Sequence, residues 1–238
     1  MRPPRFWDRD VDPRSREAAP LTRLLLTPLA MLYAGVTERR IAKTQPLRLT
    51  IPVICVGNLT AGGTGKSPVA AGLRDMLDDG HQNPSLHKDV SLIVIDSEAG
   101  FGNGYVIPKG PLREPVAAGL ARADAVIVTG PGDIPEELSG TALPVIRATI
   151  QPTAPLQMQA YVAFAGIGRP EKFFDTLEAC GSKPLDAVPF PDHHTYSDSD
   201  VRYLNELAKQ YDAQLITTEK DFVRLREDQR SGIVTLPI

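Results

Sequence analysis

Eight residues constrain this chain more than any others: Thr60-Ala61-Gly62-Gly63-Thr64-Gly65-Lys66-Ser67. They follow Leu49–Val56, a β-branched apolar run that reads as a buried strand, and precede Ser67–Leu77, where Val69, Leu73, Met76 and Leu77 fall on one helical face. Strand, glycine loop and helix in that order open a parallel α/β sheet. The loop fits G-x-x-x-x-G-K-[ST] except at its first position, which is Thr60. Gly62, Gly63 and Gly65 allow backbone N–H groups to turn inward around phosphate oxygens. Lys66 has the reach for terminal phosphates, and the Ser67 hydroxyl is suited to Mg²⁺. The helix that follows would add its N-terminal dipole. These residues imply an ATP site over Thr60–Ser67.

The remaining pattern alternates strands and helices. Strands are expected at Leu92–Ile95, Ala125–Thr129, Pro144–Ile150, Ala160–Ala165 and Gln214–Thr217, the last clear one, and Val188–Pro189 leads into a histidine loop. Helices are expected at Pro115–Ala123, Pro170–Cys180 and Asp198–Tyr211, the last capped by Ser197. The proline-bearing linker Gln151–Pro155 joins two α/β units. The expected fold class is α/β: a P-loop-type parallel sheet, a second smaller α/β unit and an N-terminal apolar helix. The expected domains are residues 1–45, the N-terminal helix region; 46–155, the phosphate-loop domain; and 156–238, the C-terminal α/β domain.

The 238 residues carry a net charge of −3, so no global positive field points to nucleic acid. Cys55 and Cys180 are too few and too far apart for a disulfide framework or a metal knuckle. His81 and His87 form no recognisable metal set with His193 and His194. The run Leu21–Val36 is strongly apolar but, at roughly 16 residues, shorter than the roughly 20 a spanning helix needs. Arg23 flanks it on one side and Glu38, Arg39, Arg40 and Lys43 on the other. A helix lying in a membrane interface and a buried helix packed on the domain both fit this pattern.

Seven stretches together resemble the tetraacyldisaccharide 4'-kinase family. They are Val56–Thr60 running into the phosphate loop and Pro68; Asp78-Asp79-Gly80-His81-Gln82; Phe101–Gly104; Gly110–Pro115; Ala165–Gly168 with Phe173 and Phe174; Asp192-His193; and Thr218–Asp221. The resemblance implies transfer of the ATP γ-phosphate to the 4'-hydroxyl of a lipid A disaccharide precursor, with Mg²⁺. It implies location at the cytoplasmic face of the inner membrane, a lipid surface as partner, and no obligate protein partner. By matching motif, Lys66 would hold phosphates, while Ser67, Asp78 and Asp79 would hold the metal. Lys66, Asp79 and His193 would be catalytic, His193 helping to deprotonate the attacking hydroxyl. Asn58, Gln82, Arg113 and Glu114 would lie near the substrate sugars and phosphate.

Members of that family carry a longer stretch before the Asp-Asp-Gly motif, including serine-arginine-glycine-tyrosine-glycine and glycine-aspartate-glutamate-proline motifs. Neither occurs here, which leaves His193 without its expected acidic partner. Asp78 and Asp79 also follow Met76-Leu77 with no apparent strand of their own. If Ser67–Leu77 stayed helical, Asp79 would sit roughly 18 Å along the axis from Ser67, too far to share one ion. Asp96, ending an apolar strand, is either a substitute acid or a strand-end residue. A catalytically inactive nucleotide-binding remnant of the family is the rival reading. A GTPase, supported only by Thr218-Glu-Lys-Asp221, is a third. Gly166-Ile-Gly168 lacks the third glycine of a dinucleotide fingerprint and reads as a tight strand-to-helix turn.

Overall fold

A computed structural model of the chain describes residues 4–12, 15–61, 76–78, 81–149, 151, 156–157 and 159–236. Gly62 to Ser67 and Asp79 lie outside the described residues. The chain divides into two compact units, Pro3–Ile150 and Gln151–Ile238.

The first unit is a five-stranded sheet of β1 (Ile54–Gly57), β2 (Met76–Asp78), β3 (Val90–Asp96), β4 (Ala125–Thr129) and β5 (Val145–Ala148). The order is β2-β1-β3-β4-β5 and every pairing is parallel. Such strands are covered on both faces, which is why they read as continuous apolar runs; all five residues of β4 are buried. Strand starts are tied down by carboxylates: Asp89 accepts from the Val53 N–H and Asp124 from the Ser91 N–H, each at 2.8 Å.

Two expectations change here. Strand β1 begins at Ile54 rather than Leu49, because Pro52 has no N–H to give a ladder, and Leu49 and Ile51 are exposed. Met76–Asp78 forms a strand of its own, pairing with β1 so that Asp78 stands opposite Val56. The helical continuation to Leu77 is therefore wrong.

The second unit holds four parallel strands in the order β7-β6-β8-β9: β6 (Tyr161–Ala165), β7 (Asp186–Pro189), β8 (Gln214–Thr218) and β9 (Ile233–Leu236). Strand β9 was not expected from the sequence. In the first unit α1 (Pro20–Lys43) precedes the sheet and the short α2 (Val116–Leu120) lies between β3 and β4. In the second, α3 (Pro170–Ala179), α4 (Asp198–Gln210) and α5 (Glu219–Arg224) connect the strands. Ser197 caps α4 through a full capping box with Asp200, as its position before the apolar periodicity implies.

Helix α1 is 24 residues long and Ala30 is its buried residue. Leu24, Leu25, Leu29, Met31, Leu32 and Val36 are exposed. The buried-helix reading is thereby corrected: the apolar side chains face outward, and at 100° per residue they surround the helix instead of forming one stripe.

Candidate active site

In both sheets the chain reverses direction of strand addition once, between β1 and β3 in the first and between β6 and β8 in the second. Ligands of open α/β sheets bind beyond the carboxyl ends of the strands at such a switch point. Among the described residues, those expected at the site lie near these two places.

Beyond β1 the chain runs through Asn58 and Leu59 to Thr60 and Ala61, then into the glycine loop. This approach is held by the segment before Glu114. Thr60 bridges Leu112, the Ala61 N–H donates to the Pro111 carbonyl at 2.7 Å, and the Arg113 N–H donates to the Leu59 carbonyl at 2.7 Å. Leu59 packs on Gly119 of α2, where a Cβ would come within 2.4 Å of its side chain. A larger residue at 119 would push the base of the loop off the sheet.

Three of the four expected substrate-side residues are joined by hydrogen bonds. The Asn58 amide donates to the Thr60 carbonyl at 2.8 Å. The Gln82 amide donates to the Asn58 carbonyl at 2.9 Å and to Glu114 Oε1 at 3.1 Å. Arg122 closes the network with bonds of 2.8 and 2.7 Å to the two Glu114 oxygens, and donates to the Ala118 carbonyl at 2.7 Å. Glu114 is 2% exposed, so its charge is sustained by the guanidinium rather than by water. Arg113 adjoins the network through its backbone. Arg122 was missed in the sequence because it sits in an ordinary helix-end position eight residues from its partner.

His81 was also missed as a positioning element. It is buried, its Nε2 lies 3.2 Å from the Gly119 carbonyl and its Nδ1 lies 3.0 Å from Ser91 Oγ. A carbonyl can only accept, so Nε2 carries the proton and Nδ1 accepts from Ser91. A Cβ on Gly57 would lie 2.4 Å from the His81 Cβ, so Gly57 is what lets this residue press against β1. Burial first, then the nearby Arg122 charge, lower its pKa to about 4. Because the folded pKa lies below that of a free imidazole, the unfolded chain binds the extra proton. Stability is fully present above about pH 6.5 and is lost as pH falls toward 4, by about 3 kcal/mol in total. Urea titrations at pH 7.5, 5.5 and 4.5 should show that slope, and His81→Gln should flatten it. Asp198, Asp200 and Asp228 have lowered pKa values, chiefly from hydrogen bonds with Arg226 or Ser197. Their contribution is lost only at still lower pH, below the ordinary carboxylate range.

Asp96 ends β3 beside β1 and is buried. Its Oδ1 accepts from the N–H groups of Glu98 and Ala99 at 3.0 and 3.3 Å. That bonding fits the strand-end reading. Asp78 ends β2 on the other side of β1. By residue type, the carboxylates of Asp78 and Asp79 with the Ser67 hydroxyl would make a hard oxygen set of the kind Mg²⁺ prefers; of these, Asp78 is described, at the carboxyl end of β2.

At the second switch point β6 ends at Ala165, followed by Gly166, and β8 ends at Thr218. The carboxylate of Asp221, 0% exposed, accepts from the Gly166 N–H at 3.1 Å, from Thr218 Oγ1 at 2.7 Å and from Arg224 at 3.0 Å. Arg224 also donates to the Gly166 carbonyl at 2.8 Å and lies 3.1 Å from His193 Nδ1. His193 has φ +59° and donates its N–H to the Gly166 carbonyl at 3.0 Å. Gly166 is the turn glycine here: a Cβ would meet Tyr196 Oη, His194 Cβ and Asp221 Oδ1 at 3.0 to 3.2 Å. Tyr196 is buried beside Asp221, and burial followed by that carboxylate raises its pKa above the ordinary phenol value. His194 stacks on Phe190 and bonds Asp200 at 3.1 Å.

The family profile described as tetraacyldisaccharide-1-P 4'-kinase matches residues 22–77 and 75–238. A tetraacyldisaccharide 4'-kinase of Hyphomonas neptunium is 46% identical, covering 100% of this chain and 93% of that protein. One from Maricaulis maris is 39% identical over 100% and 92%. The first alignment runs over 308 positions against 238 residues here, so at least 70 of them face no residue of this chain. The profile match breaks at residues 75–77, where β2 begins. In fold, the chain resembles the crystal structure of the "apo" form of LpxK from Aquifex aeolicus in complex with ATP, with a TM-score of 0.65, 20% identity and coverage of 89% and 92%.

Proposed function

Because the chain belongs to the tetraacyldisaccharide-1-P 4'-kinase family, we propose that it transfers the γ-phosphoryl group of ATP to the 4'-hydroxyl of a tetraacylated disaccharide 1-phosphate. The observation that carries this reading is the register of β2 with β1, which brings Asp78 to the phosphate-loop end of the sheet despite the shortened connection. In the reaction the 4'-oxygen bonds to the γ-phosphorus while the bond from that phosphorus to the β,γ-bridging oxygen breaks. ADP leaves, and the hydroxyl proton passes by way of a phosphoryl oxygen to water. Charge spreads over the phosphoryl oxygens on the way, so positioning and neutralisation supply most of the acceleration.

The backbone N–H groups of Thr60–Ser67 hold the phosphates and Lys66 neutralises the terminal ones. Ser67, Asp78 and Asp79 would hold Mg²⁺, which when bound would offset the negative charge of the ATP phosphates. Asn58, Gln82, Arg113 and Glu114 form the substrate side, with the buried Glu114 acting by holding Gln82 and Asn58 in place. His193 is the catalytic side chain of the second unit. Helix α1 embeds its apolar girth in the inner-membrane leaflet facing the cytoplasm, with Arg39, Arg40 and Lys43 at the headgroups. Such an anchor would bring the enzyme to an acylated substrate.

The test is phosphate transfer from γ-labelled ATP to the tetraacylated disaccharide 1-phosphate in detergent micelles. Labelled product that requires both the lipid and Mg²⁺ is expected. ATP binding without transfer at any Mg²⁺ concentration would overturn the kinase reading and leave a nucleotide-binding protein.

A further inference from the structure

The second unit holds His193 in one particular state. Arg224 has donors and no acceptor, so in the 3.1 Å contact His193 Nδ1 must be the accepting nitrogen. A neutral imidazole whose Nδ1 accepts carries its proton on Nε2. That nitrogen points outward: the side chain is 80% exposed, and the carboxylate oxygen of Asp192 is 3.9 Å away, beyond hydrogen-bond length. Arg224 is itself fixed, by Asp221 at 3.0 Å and by the Gly166 carbonyl at 2.8 Å. The same Gly166 carbonyl receives the His193 N–H and holds its left-handed backbone. The ring therefore offers an N–H where a general base would need a lone pair.

We propose that Arg224, anchored by Asp221, is a positioning residue that sets His193 as a hydrogen-bond donor through Nε2, in place of the proton-accepting role implied by the motif resemblance. The inference rests on the reading of His193 as catalytic. It also accounts for the chemistry without the absent acidic motif: a donor needs no aspartate behind it to accept a proton, and phosphoryl transfer with little covalent demand on the nucleophile gains more from charge stabilisation than from a base. Loss of such a donor costs about tenfold to a hundredfold in rate.

The experiment combines nitrogen-15 NMR of the full chain at pH 8, where imidazole is ordinarily neutral, with kinetics of His193→Ala, His193→Gln, Arg224→Ala and Arg224→Lys. The His193 resonances, assigned by their loss in His193→Gln, are expected to show an accepting Nδ1 and a protonated Nε2, and to become mixed in Arg224→Ala. Turnover is expected to fall at least tenfold in His193→Ala but to stay within about threefold of the parent in His193→Gln, whose amide still donates. Arg224→Ala should lower kcat about tenfold with KM for ATP unchanged, and Arg224→Lys should restore part of it. Equal losses in His193→Gln and His193→Ala, or a proton found on Nδ1, would overturn the donor role while leaving His193 catalytic. Unchanged turnover in His193→Ala would sink the catalytic reading itself. The tautomer read from the parent chain does not depend on whether Arg224→Ala folds.

Discussion

Lys66→Ala is expected to lower phosphate transfer by about a thousandfold or more while leaving the urea midpoint of the nucleotide-free protein unchanged. The magnitude follows from what the residue neutralises. Negative charge on the terminal phosphates is spread over several oxygens as the phosphorus changes partners, and a fixed cation there acts in a site shielded from water. Removing a comparable cation or donor from phosphoryl- or acyl-transfer sites costs factors of 10² to 10⁵. Stability should be spared, because a lysine is almost never fully buried without a partner and such substitutions stay within about 0.5 kcal/mol. Binding gives an independent readout. ATP at a hundred times its Kd should stabilise the parent by about 2.7 kcal/mol, and Lys66→Ala should lose most of that gain. A variant that keeps both the ATP-induced stabilisation and the transfer would show that Thr60–Ser67 is not the nucleotide site.

How far these features could be read from the sequence depended on how locally they are determined. Strand β4 was found at its observed limits, because Ala125–Thr129 is an unbroken apolar run of the kind a strand covered on both faces requires. The capped start of α4 was equally local, since Ser197 and Asp200 satisfy each other three residues apart. Strand β2 was missed for the opposite reason. Met76-Leu77-Asp78 is three residues long and has no β-branched member, and only its pairing with β1 makes it a strand. Strand β9 likewise gains its identity from β8.

The site shows the same division. The phosphate loop and the Asp-Asp-Gly-His-Gln segment announce themselves by residue type and spacing. The parts that hold them in place do not. Asp221 lies 55 residues from the Gly166 N–H it accepts, and Gly119 lies 38 from the His81 ring that binds its carbonyl. Thr218-Glu-Lys-Asp221 could be seen as a motif, but its use as a clamp on the β6 turn becomes visible only when two parallel strands bring the segments together.

Glu114→Ala is expected to destabilise the first unit by about 3–5 kcal/mol and to abolish transfer with it. One partner of the ion pair is buried and the other half-buried: the Glu114 side chain is 3% exposed and that of Arg122 31%. Truncating one side leaves a guanidinium with its charge uncompensated, which is the costly way to disturb such a pair. The Gln82 amide loses one of its two acceptors at the same time, and with it the link that fixes Gln82 against the Asn58 carbonyl. The effect on activity therefore travels through the base of the phosphate loop, not through contact with substrate. A double change separates these contributions. Glu114→Gln with Arg122→Met replaces the charges by groups of similar shape and should recover more than half of the lost stability, since removing both charges avoids the unpaired one. It should recover less of the activity, because the amide offers Gln82 a weaker acceptor than a carboxylate does. Urea midpoints of the parent, both single variants and the double variant measure the coupling. A Glu114→Ala protein as stable as the parent would mean that Arg122 and Gln82 find water or other partners, and that the network does not hold the loop.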